Sequence, residues 1–280
     1  MFGAILGDII GSPYEFDRGN KTKDFPLFSI HSNFTDDTVM TIAVADAFME
    51  SIYDKNKQKL HKKIDKAMEK IIKDKLISKM KLYGKLYPCA GYGARFMQWL
   101  TNDNKEPYNS FGNGSAMRVS SVAWLFDDIG SVLNAARISA EVTHNHQEGI
   151  KGAQATAAAI FLARTYHDKD KIKSFIQDNF EYDLSRTCDQ IRPYYHHTES
   201  CQKTVPEAIT AFLEGENFED VIRTAVSLGG DCDTLTAIAG SIAEGFYGVP
   251  EELKKQCIIC IPNDFKTVLA KYSKYIEYIK

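Results

Sequence analysis

Nearly every apolar segment of this chain repeats with the period of an α-helix, and alternating strand patterns are almost absent. The segments that fit a helix most closely are Thr38–Tyr53, Gly149–Tyr166, Val205–Gly215, Phe218–Gly230 and Asp233–Gly248. The last three end in glycine, a residue at which helices commonly stop. Arg118–Phe126 fits either a strand or a short helix. We therefore expect an all-α protein, a compact orthogonal helical bundle whose long polar loops carry the function.

The length and composition are those of an ordinary globular protein. The 280 residues contain no repeat and no low-complexity linker, so we expect a single domain over residues 1–280. A net charge of -3 provides no basic field for nucleic acid or for an anionic membrane. No stretch approaches the roughly 20 apolar residues of a membrane helix, and the opening residues lack the pattern of a secretory signal. The cysteines are scattered, which favours a reduced, cytoplasmic protein.

An acidic cluster stands at the start of the first strongly apolar helix. It consists of Thr35, Asp36, Asp37 and Thr38. A single acidic residue there would be an ordinary helix cap that complements the helix dipole. Two adjacent carboxylates against a buried helix are harder to explain in this way, because like charges next to the core require a counter-charge.

A second acidic cluster opens the segment GGDCDTLTAIAG, residues Gly229–Gly240. Asp231, Asp233 and Thr234 stand together at the start of another apolar helix, with no Lys or Arg beside them. Carboxylate and hydroxyl oxygens are the ligands of hard cations such as Mg²⁺ or Mn²⁺. Carboxylates from two helix starts could hold two such ions about 3.5–4 Å apart. The alternative is two independent acidic caps.

The loops contain further candidate residues. Glycines at positions 3, 7 and 11 space the first helix for close packing, and Glu15 follows on the next loop, where a single glutamate is usually only solvated. Gly91, Tyr92 and Gly93 form a flexible turn that could lie against a ligand ring.

Two polar segments in the middle of the chain complete the set. The Gly112–Ser115 turn exposes backbone N–H groups that could wrap a phosphate or a ribose, although many turns have this composition. His144 and His146 could be a pair of metal ligands. A histidine that hydrogen-bonds a substrate or neighbouring backbone fits the same spacing.

Taken in order, these motifs resemble the ADP-ribosylglycohydrolase family. The match runs from Gly-Asp…Gly-Ser…Tyr-Glu through Thr-Asp-Asp-Thr, Gly-Tyr-Gly, Gly-Asn-Gly-Ser-x-Met-Arg and Thr-His to Gly-Gly-Asp-x-Asp-Thr, and it covers Gly3 to about Gly248. The family includes the dinitrogenase reductase-activating glycohydrolase and the ADP-ribosyl-acceptor hydrolases. The resemblance implies an all-helical fold around a two-metal cleft, which uses Mg²⁺ or Mn²⁺ to cut the C1″ bond between ADP-ribose and an acceptor. It also implies a monomer.

Carried over position by position, the resemblance assigns roles to individual residues. The implied metal ligands are Thr35, Asp36, Asp37, Asp231, Asp233 and Thr234. The implied catalytic residues, among which the general base is left open, are Glu15, Asp36 and Asp37. The residues implied to bind ADP-ribose are Gly91, Tyr92, Gly93, Gly112, Asn113, Gly114, Ser115 and His144. Cys232 departs from the family, which more often has Thr or Ser there, and it matters only if its side chain faces the metals.

The expected partners are ADP-ribose and an ADP-ribosylated protein or small conjugate, with nucleic acid only as a modified substrate. Arginine, serine, a nucleobase, an O-acetyl group and poly(ADP-ribose) all remain candidate acceptors. The first alternative is a non-catalytic ADP-ribose-binding module. A phosphatase with an aspartyl nucleophile in DCDTL is a second alternative, but it would need a buried strand before that motif. A purely structural helical protein would have no reason to group Thr and Asp at two helix starts.

Overall fold

The computed structural model describes residues 1–54, 59–60 and 63–279. The helices are α1 (Phe2–Gly11), α2 (Asp36–Ile52), α3 (Lys66–Leu86), α4 (Ala94–Thr101), α5 (Gly114–Met117), α6 (Val122–Leu125), α7 (Ile129–Glu141), α8 (Gln147–Tyr166), α9 (Lys169–Phe180), α10 (Cys188–Ile191), α11 (Cys201–Glu214), α12 (Phe218–Leu228), α13 (Cys232–Tyr247), α14 (Glu251–Cys260) and α15 (Asn263–Ile279). A 3₁₀ turn, Ser12–Tyr14, follows α1. Strand structure within these ranges is limited to the antiparallel pair β1 (Tyr53–Asp54) and β2 (Lys59–Leu60).

The all-α prediction is confirmed, and most predicted helices begin and end within two residues of the observed ones. The ambiguous segment Arg118–Phe126 contains the short helix α6 and no strand. Helix α11 begins at Cys201, four residues before the predicted start at Val205. The amide of Cys201 donates to the carbonyl of Phe111 at 3.1 Å, a long-range contact that the local pattern does not contain.

The glycines of α1 allow it to lie directly on α13. A methyl group built on Gly3 would be 2.1 Å from the carbonyl oxygen of Gly240, and one on Gly7 would be 2.2 Å from that of Thr236. One on Gly11 would be 2.6 Å from the carbonyl oxygen of Cys232. Because the contacts run in opposite directions along the two helices, the end of α1 meets the beginning of α13. This packing brings the loop after α1 next to the second acidic cluster.

Helix α2 is buried over almost its whole length and contacts α1, α3 and α13. Its first turn meets the first turn of α13, where the hydroxyl of Thr234 donates to Asp37 Oδ2 at 3.0 Å. The two acidic clusters therefore face each other across one junction, although they are far apart in sequence. No helix within the described residues combines the length and apolarity that crossing a lipid bilayer requires.

Candidate metal centre and substrate cleft

A buried aspartate at the centre of α1 fixes the beginning of α2. Asp8 has no exposed surface, and its Oδ2 accepts the amides of Thr35 (2.9 Å) and Thr38 (3.0 Å). Its Oδ1 accepts the hydroxyl of Thr35 at 2.7 Å, and its Oδ2 also accepts the hydroxyl of Thr38. These bonds satisfy amides that the first turn of a helix leaves unpaired. Asp8 thus holds the first acidic cluster at the end of α1.

Carboxylates from three segments converge at this junction. Glu15 on the loop after α1, together with Asp231 and Asp233, offers ligand oxygens that lie within 4.8 Å of one another. Asp37 is 2% exposed, and its Oδ1 is buried with no hydrogen-bond partner among the residues described. Asp36 lines the same cleft.

This concentration of negative charge changes the acidity of its members. Burial, followed by repulsion from Asp233, raises the pKa of Asp36, Asp37 and Asp231 well above the ordinary aspartate value. The same two causes raise the pKa of Glu15 to about 8. Within the part of the chain that is described, no Lys or Arg forms an ion pair with these carboxylates. The cluster therefore has no ion-paired counter-charge among these residues, and the charge of Arg18 only partly offsets the rise in the pKa of Glu15.

The donor set fits divalent cations. All of its members are oxygens, they converge from different helices, and the buried Oδ1 of Asp37 has no partner that a cation would displace. Hard cations such as Mg²⁺ prefer such donors and would supply the missing positive charge. The histidines do not join this group: His146 caps α8 by accepting the amide of Glu148 at 3.1 Å.

The carboxylates form the floor of a cleft of about 490 Å³. Of the residues expected to bind metal, catalyse or bind substrate, the structure brings the following to its walls: Glu15, Asp36, Asp37, Gly91, Gly93, Gly112, Asn113, Gly114, His144, Asp231, Asp233 and Thr234. Asn113 connects the glycine turn to the acidic floor, because its Nδ2 donates to Asp231 Oδ2 at 2.6 Å and to the hydroxyl of Thr204 at 3.1 Å.

Three of the expected residues lie behind the cleft surface. The hydroxyl of Thr35 is engaged by Asp8, and the residue caps α2. Tyr92 is 8% exposed and packs on the ring of Phe96, with ring centroids 5.8 Å apart. The hydroxyl of Ser115 donates to the carbonyl of Gly149 at 2.6 Å. In this structure Tyr92 and Ser115 support the walls and do not line them.

Cys232 faces away from the acidic floor. Its side chain is fully buried, and its sulfur lies 3.7 Å from the carbonyl oxygen of Val226 in α12. Burial, followed by the charge of Asp233, raises the pKa of the thiol. The departure from the family pattern therefore adds no sulfur ligand.

The loop that carries Glu15 is attached to two other parts of the cleft by a single aspartate. Asp17 Oδ1 accepts the amide of Gly230 at 2.8 Å, and its Oδ2 accepts the amide of His197 at 3.0 Å. Phe16 packs on the ring of His197, with ring centroids 4.7 Å apart. Asp17 thus ties the Glu15 loop to the turn before Asp231.

Several residues of the cleft were not predicted from the sequence. The added wall residues include Phe16, Arg95, Tyr108, Phe111 and Arg118. Arg95 donates to the carbonyl of Tyr108 at 2.6 Å and lies over its ring, whereas the guanidinium of Arg118 is fully buried. Asp8 had one sequence signal, since it is the only charged residue in an otherwise apolar helix.

The fold and the acidic cleft can be compared with known proteins. The family model described as ADP-ribosylglycohydrolase matches residues 1–273. The chain belongs to the ADP-ribosylglycohydrolase family. The resemblance inferred from the motifs is thereby confirmed.

Curated relatives of this family member match along most of its length. ADP-ribosylhydrolase ARH3 of Homo sapiens is 26% identical over an alignment of 338 positions, which covers 92% of this chain and 87% of that protein. ADP-ribosylarginine hydrolase Tri1 of Pseudomonas putida (strain GB-1) is 25% identical over 284 residues, which cover 91% of this chain and 72% of that protein. A solved structure described as an ADP-ribosylglycohydrolase-related protein complex has a TM-score of 0.68 at 19% identity and covers 98% of this chain and 97% of its own. That structure supports the fold, and the family establishes a hydrolase of ADP-ribose linkages.

The structure also argues against the phosphatase alternative. Such an enzyme would need a buried strand before the DCDTL motif, and the motif instead follows α12 through the Gly229–Gly230 turn.

Proposed function

We propose that this protein is a divalent-cation-dependent hydrolase that cleaves the C1″ linkage between ADP-ribose and an acceptor, either a protein side chain or a related conjugate. The observation that carries the proposal is the convergence of Glu15, Asp231 and Asp233 within 4.8 Å on the floor of a 490 Å³ cleft. The proposed products are free ADP-ribose and the unmodified acceptor.

The proposed metal ligands are the residues of the two helix starts: Thr35, Asp36, Asp37, Asp231, Asp233 and Thr234. When bound, two Mg²⁺ or Mn²⁺ ions would orient the ribose hydroxyls and make a water molecule more acidic. The charge of the four carboxylates supports two ions better than one, because one divalent cation would leave half of their negative charge unbalanced. Thr35 would ligand an ion through one hydroxyl lone pair, because the hydroxyl donates its proton to Asp8 and accepts the amide of Asp37 with the other lone pair.

The protein's own groups would supply proton transfer and charge stabilisation. Glu15 is partly exposed at the edge of the cleft, and its burial raises its pKa above the ordinary glutamate value, which suits a carboxyl group that both holds and releases a proton near neutrality. The remaining carboxylates would stabilise the positive charge that develops on the sugar as the glycosidic bond breaks. Asp36 and Asp37 are the other candidates for the general base.

The cleft walls would bind the remainder of ADP-ribose. The guanidinium of Arg95 is suited to a diphosphate, whereas the amides of Gly112 and Asn113 in the adjoining turn already donate to Ser110 and Glu199. The exposed ring of Phe111, with 48% of its surface accessible, is suited to stacking on a base.

The test is a panel of arginine-linked, serine-linked, nucleobase-linked and O-acetyl-ADP-ribose substrates, each incubated with Mg²⁺, with Mn²⁺ or with EDTA. Free ADP-ribose is measured by mass spectrometry. We expect metal-dependent release from at least one linkage and its loss in the Asp231→Asn, Asp233→Asn double variant.

The matched control is Asp168→Asn, because Asp168 caps α9 far from the cleft and asparagine is an equally good cap. Release that persists in EDTA or in the double variant would contradict the proposal. Tight ADP-ribose binding without release from any substrate would favour the non-catalytic binding module.

A further inference from the structure

The two ring nitrogens of His144 have different surroundings. Its Nδ1 lies 2.7 Å from the hydroxyl oxygen of Thr143. Its Nε2 has no hydrogen-bond partner among the described residues and is directed at the glycine turn, where a methyl group built on Gly114 would lie 3.2 Å from it. Because His144 lines the cleft, Nε2 is the nitrogen that a ligand can reach.

A buried arginine determines how the hydroxyl of Thr143 is used. The guanidinium of Arg118 is completely buried and donates to Thr143 Oγ1 at 2.8 Å and to the carbonyl of Ser139 at 3.0 Å. A guanidinium can only donate, so Thr143 Oγ1 is the acceptor in that bond. Thr143 is fully buried, and its hydroxyl proton has one remaining partner in the described structure, which is Nδ1 of His144.

The charge state of the imidazole follows from its environment. Burial, followed by the positive charges of Arg118 and Arg95, lowers the pKa of His144 well below its ordinary value. The ring is therefore neutral near pH 7, and a neutral imidazole carries one hydrogen. Nδ1 accepts the proton of Thr143, so the hydrogen of the ring belongs on Nε2.

We infer that Arg118 and Thr143 act as positioning residues that fix His144 in the tautomer with hydrogen on Nε2, and so make it an obligatory hydrogen-bond donor to the ligand in the cleft. This inference rests on the proposed function for the identity of that ligand. The group that meets Nε2 must be an acceptor, such as an oxygen of a phosphate or a ribose.

The fixed tautomer also limits what His144 can do. An Nε2 that carries hydrogen has no free lone pair, so it can neither ligand a metal nor accept a proton from water. His144 then cannot be the proton acceptor of the proposed reaction, which leaves that role with Glu15, Asp36 or Asp37 as proposed above. The same tautomer excludes His144 as a metal ligand.

The first test is a long-range ¹H–¹⁵N spectrum of the full chain labelled at its histidine ring nitrogens, recorded near pH 7 without ligand. The resonances of His144 are identified by their loss in His144→Gln. We expect a hydrogen-bearing Nε2 and a bare Nδ1. A hydrogen on Nδ1, an even mixture of tautomers or an imidazolium would overturn the inference.

The second test compares Thr143→Val, which removes the hydroxyl, with Thr143→Ser, which keeps it. In the valine variant we expect a mixture of His144 tautomers. The Kd for ADP-ribose should be about fivefold to tenfold higher, because about one hydrogen bond to the ligand is lost. The serine variant should match the parent protein. If the Thr143→Val variant kept the spectrum and the affinity of the parent protein, the positioning role of Thr143 would be refuted.

The spectrum of the parent protein decides the tautomer even if Thr143→Val does not fold. It is also independent of turnover, so failure of the substrate panel and failure of this inference are distinguishable.

Discussion

The acidic floor predicts an unusual response to the removal of one charge. Asp37→Asn should stabilise the metal-free protein, although Asp37 is buried at the centre of the site. Asparagine keeps an oxygen that can accept the hydroxyl of Thr234, and it removes a carboxylate whose pKa is raised by burial and by the charge of Asp233. The same change removes a proposed metal ligand, so the stabilising effect of a divalent cation should shrink.

The expected size follows from the linkage between pKa and stability. Each unit by which folding raises the pKa of a carboxyl group costs about 1.4 kcal/mol at a pH above both values. If Asp37→Asn removes the cost of one pKa unit, the unfolding midpoint should therefore rise by about 3 °C, at about 2 °C per kcal/mol for a chain of this size. A cation at about 100 times its Kd adds about 2.7 kcal/mol, or about 5 °C. We expect less than half of that gain in Asp37→Asn.

Thermal unfolding near pH 8, in EDTA and across a Mg²⁺ titration, measures both effects. Asp46→Asn is the matched control, because Asp46 lies on the same helix and is 7% exposed. Unlike Asp37, it has cationic partners, with Lys79 at 2.6 Å and Lys271 at 3.6 Å. The control should lower the free energy of unfolding by about 1 kcal/mol, or the midpoint by about 2 °C, in both conditions and keep the full response to Mg²⁺.

The reasoning would be refuted if Asp37→Asn lowered the midpoint in EDTA and still gained as much from Mg²⁺ as the parent protein. That result would mean that the charge of Asp37 is already balanced within the protein. It would remove the argument that a cation is needed here.

Three further outcomes are expected. In EDTA the unfolding midpoint should fall as the pH rises from about 4 to about 8, because the folded protein holds protons on Asp8 and Glu15 that the unfolded chain releases. Folding raises the pKa of Asp8 from 3.8 to about 7 and that of Glu15 from 4.5 to about 8. Saturating Mg²⁺ should flatten this dependence on pH. Gly7→Ala should cost about 1–3 kcal/mol in a denaturant titration and weaken the Mg²⁺ response, because the added methyl would meet the carbonyl of Thr236 at 2.2 Å and separate α1 from α13. Asp17→Ala should lower kcat/KM for whichever substrate is cleaved by at least tenfold, through the loss of two charge-assisted bonds, whereas Asp17→Asn should retain part of the activity.

The helices and the acidic residues could be predicted because their signals are local. A helix start that carries Thr-Asp-Asp-Thr, or Asp-x-Asp-Thr, is visible in a few consecutive letters. The glycine spacing of α1 likewise predicted a close contact with another helix. What these letters do not specify is the partner: nothing near Gly7 indicates that Thr236 lies above it.

Side-chain direction was the main feature that the sequence could not provide. Tyr92 stands between two glycines and was expected at the ligand, but the aromatic contact with Phe96 turns it into the core. Ser115 is drawn away from the cleft by the carbonyl of Gly149. Asp8 is a residue that was not expected at the site, and its role in holding the beginning of α2 depends on two threonines about thirty positions away. In each case a long-range contact decides the direction.

The antiparallel contact between α1 and α13 has a consequence for how the protein is made. Asp37 and Thr234 are 197 positions apart, and Asp17 and Gly230 are 213 apart. During synthesis the first acidic cluster therefore leaves the ribosome long before the second one exists, and α1 exposes its glycine face until α13 arrives. Contacts of such long range form late in folding. A chain that is cut short before α13 would have only half of the proposed cation-binding site. Cation-dependent protection from proteolysis would thus report complete synthesis and closure of the fold.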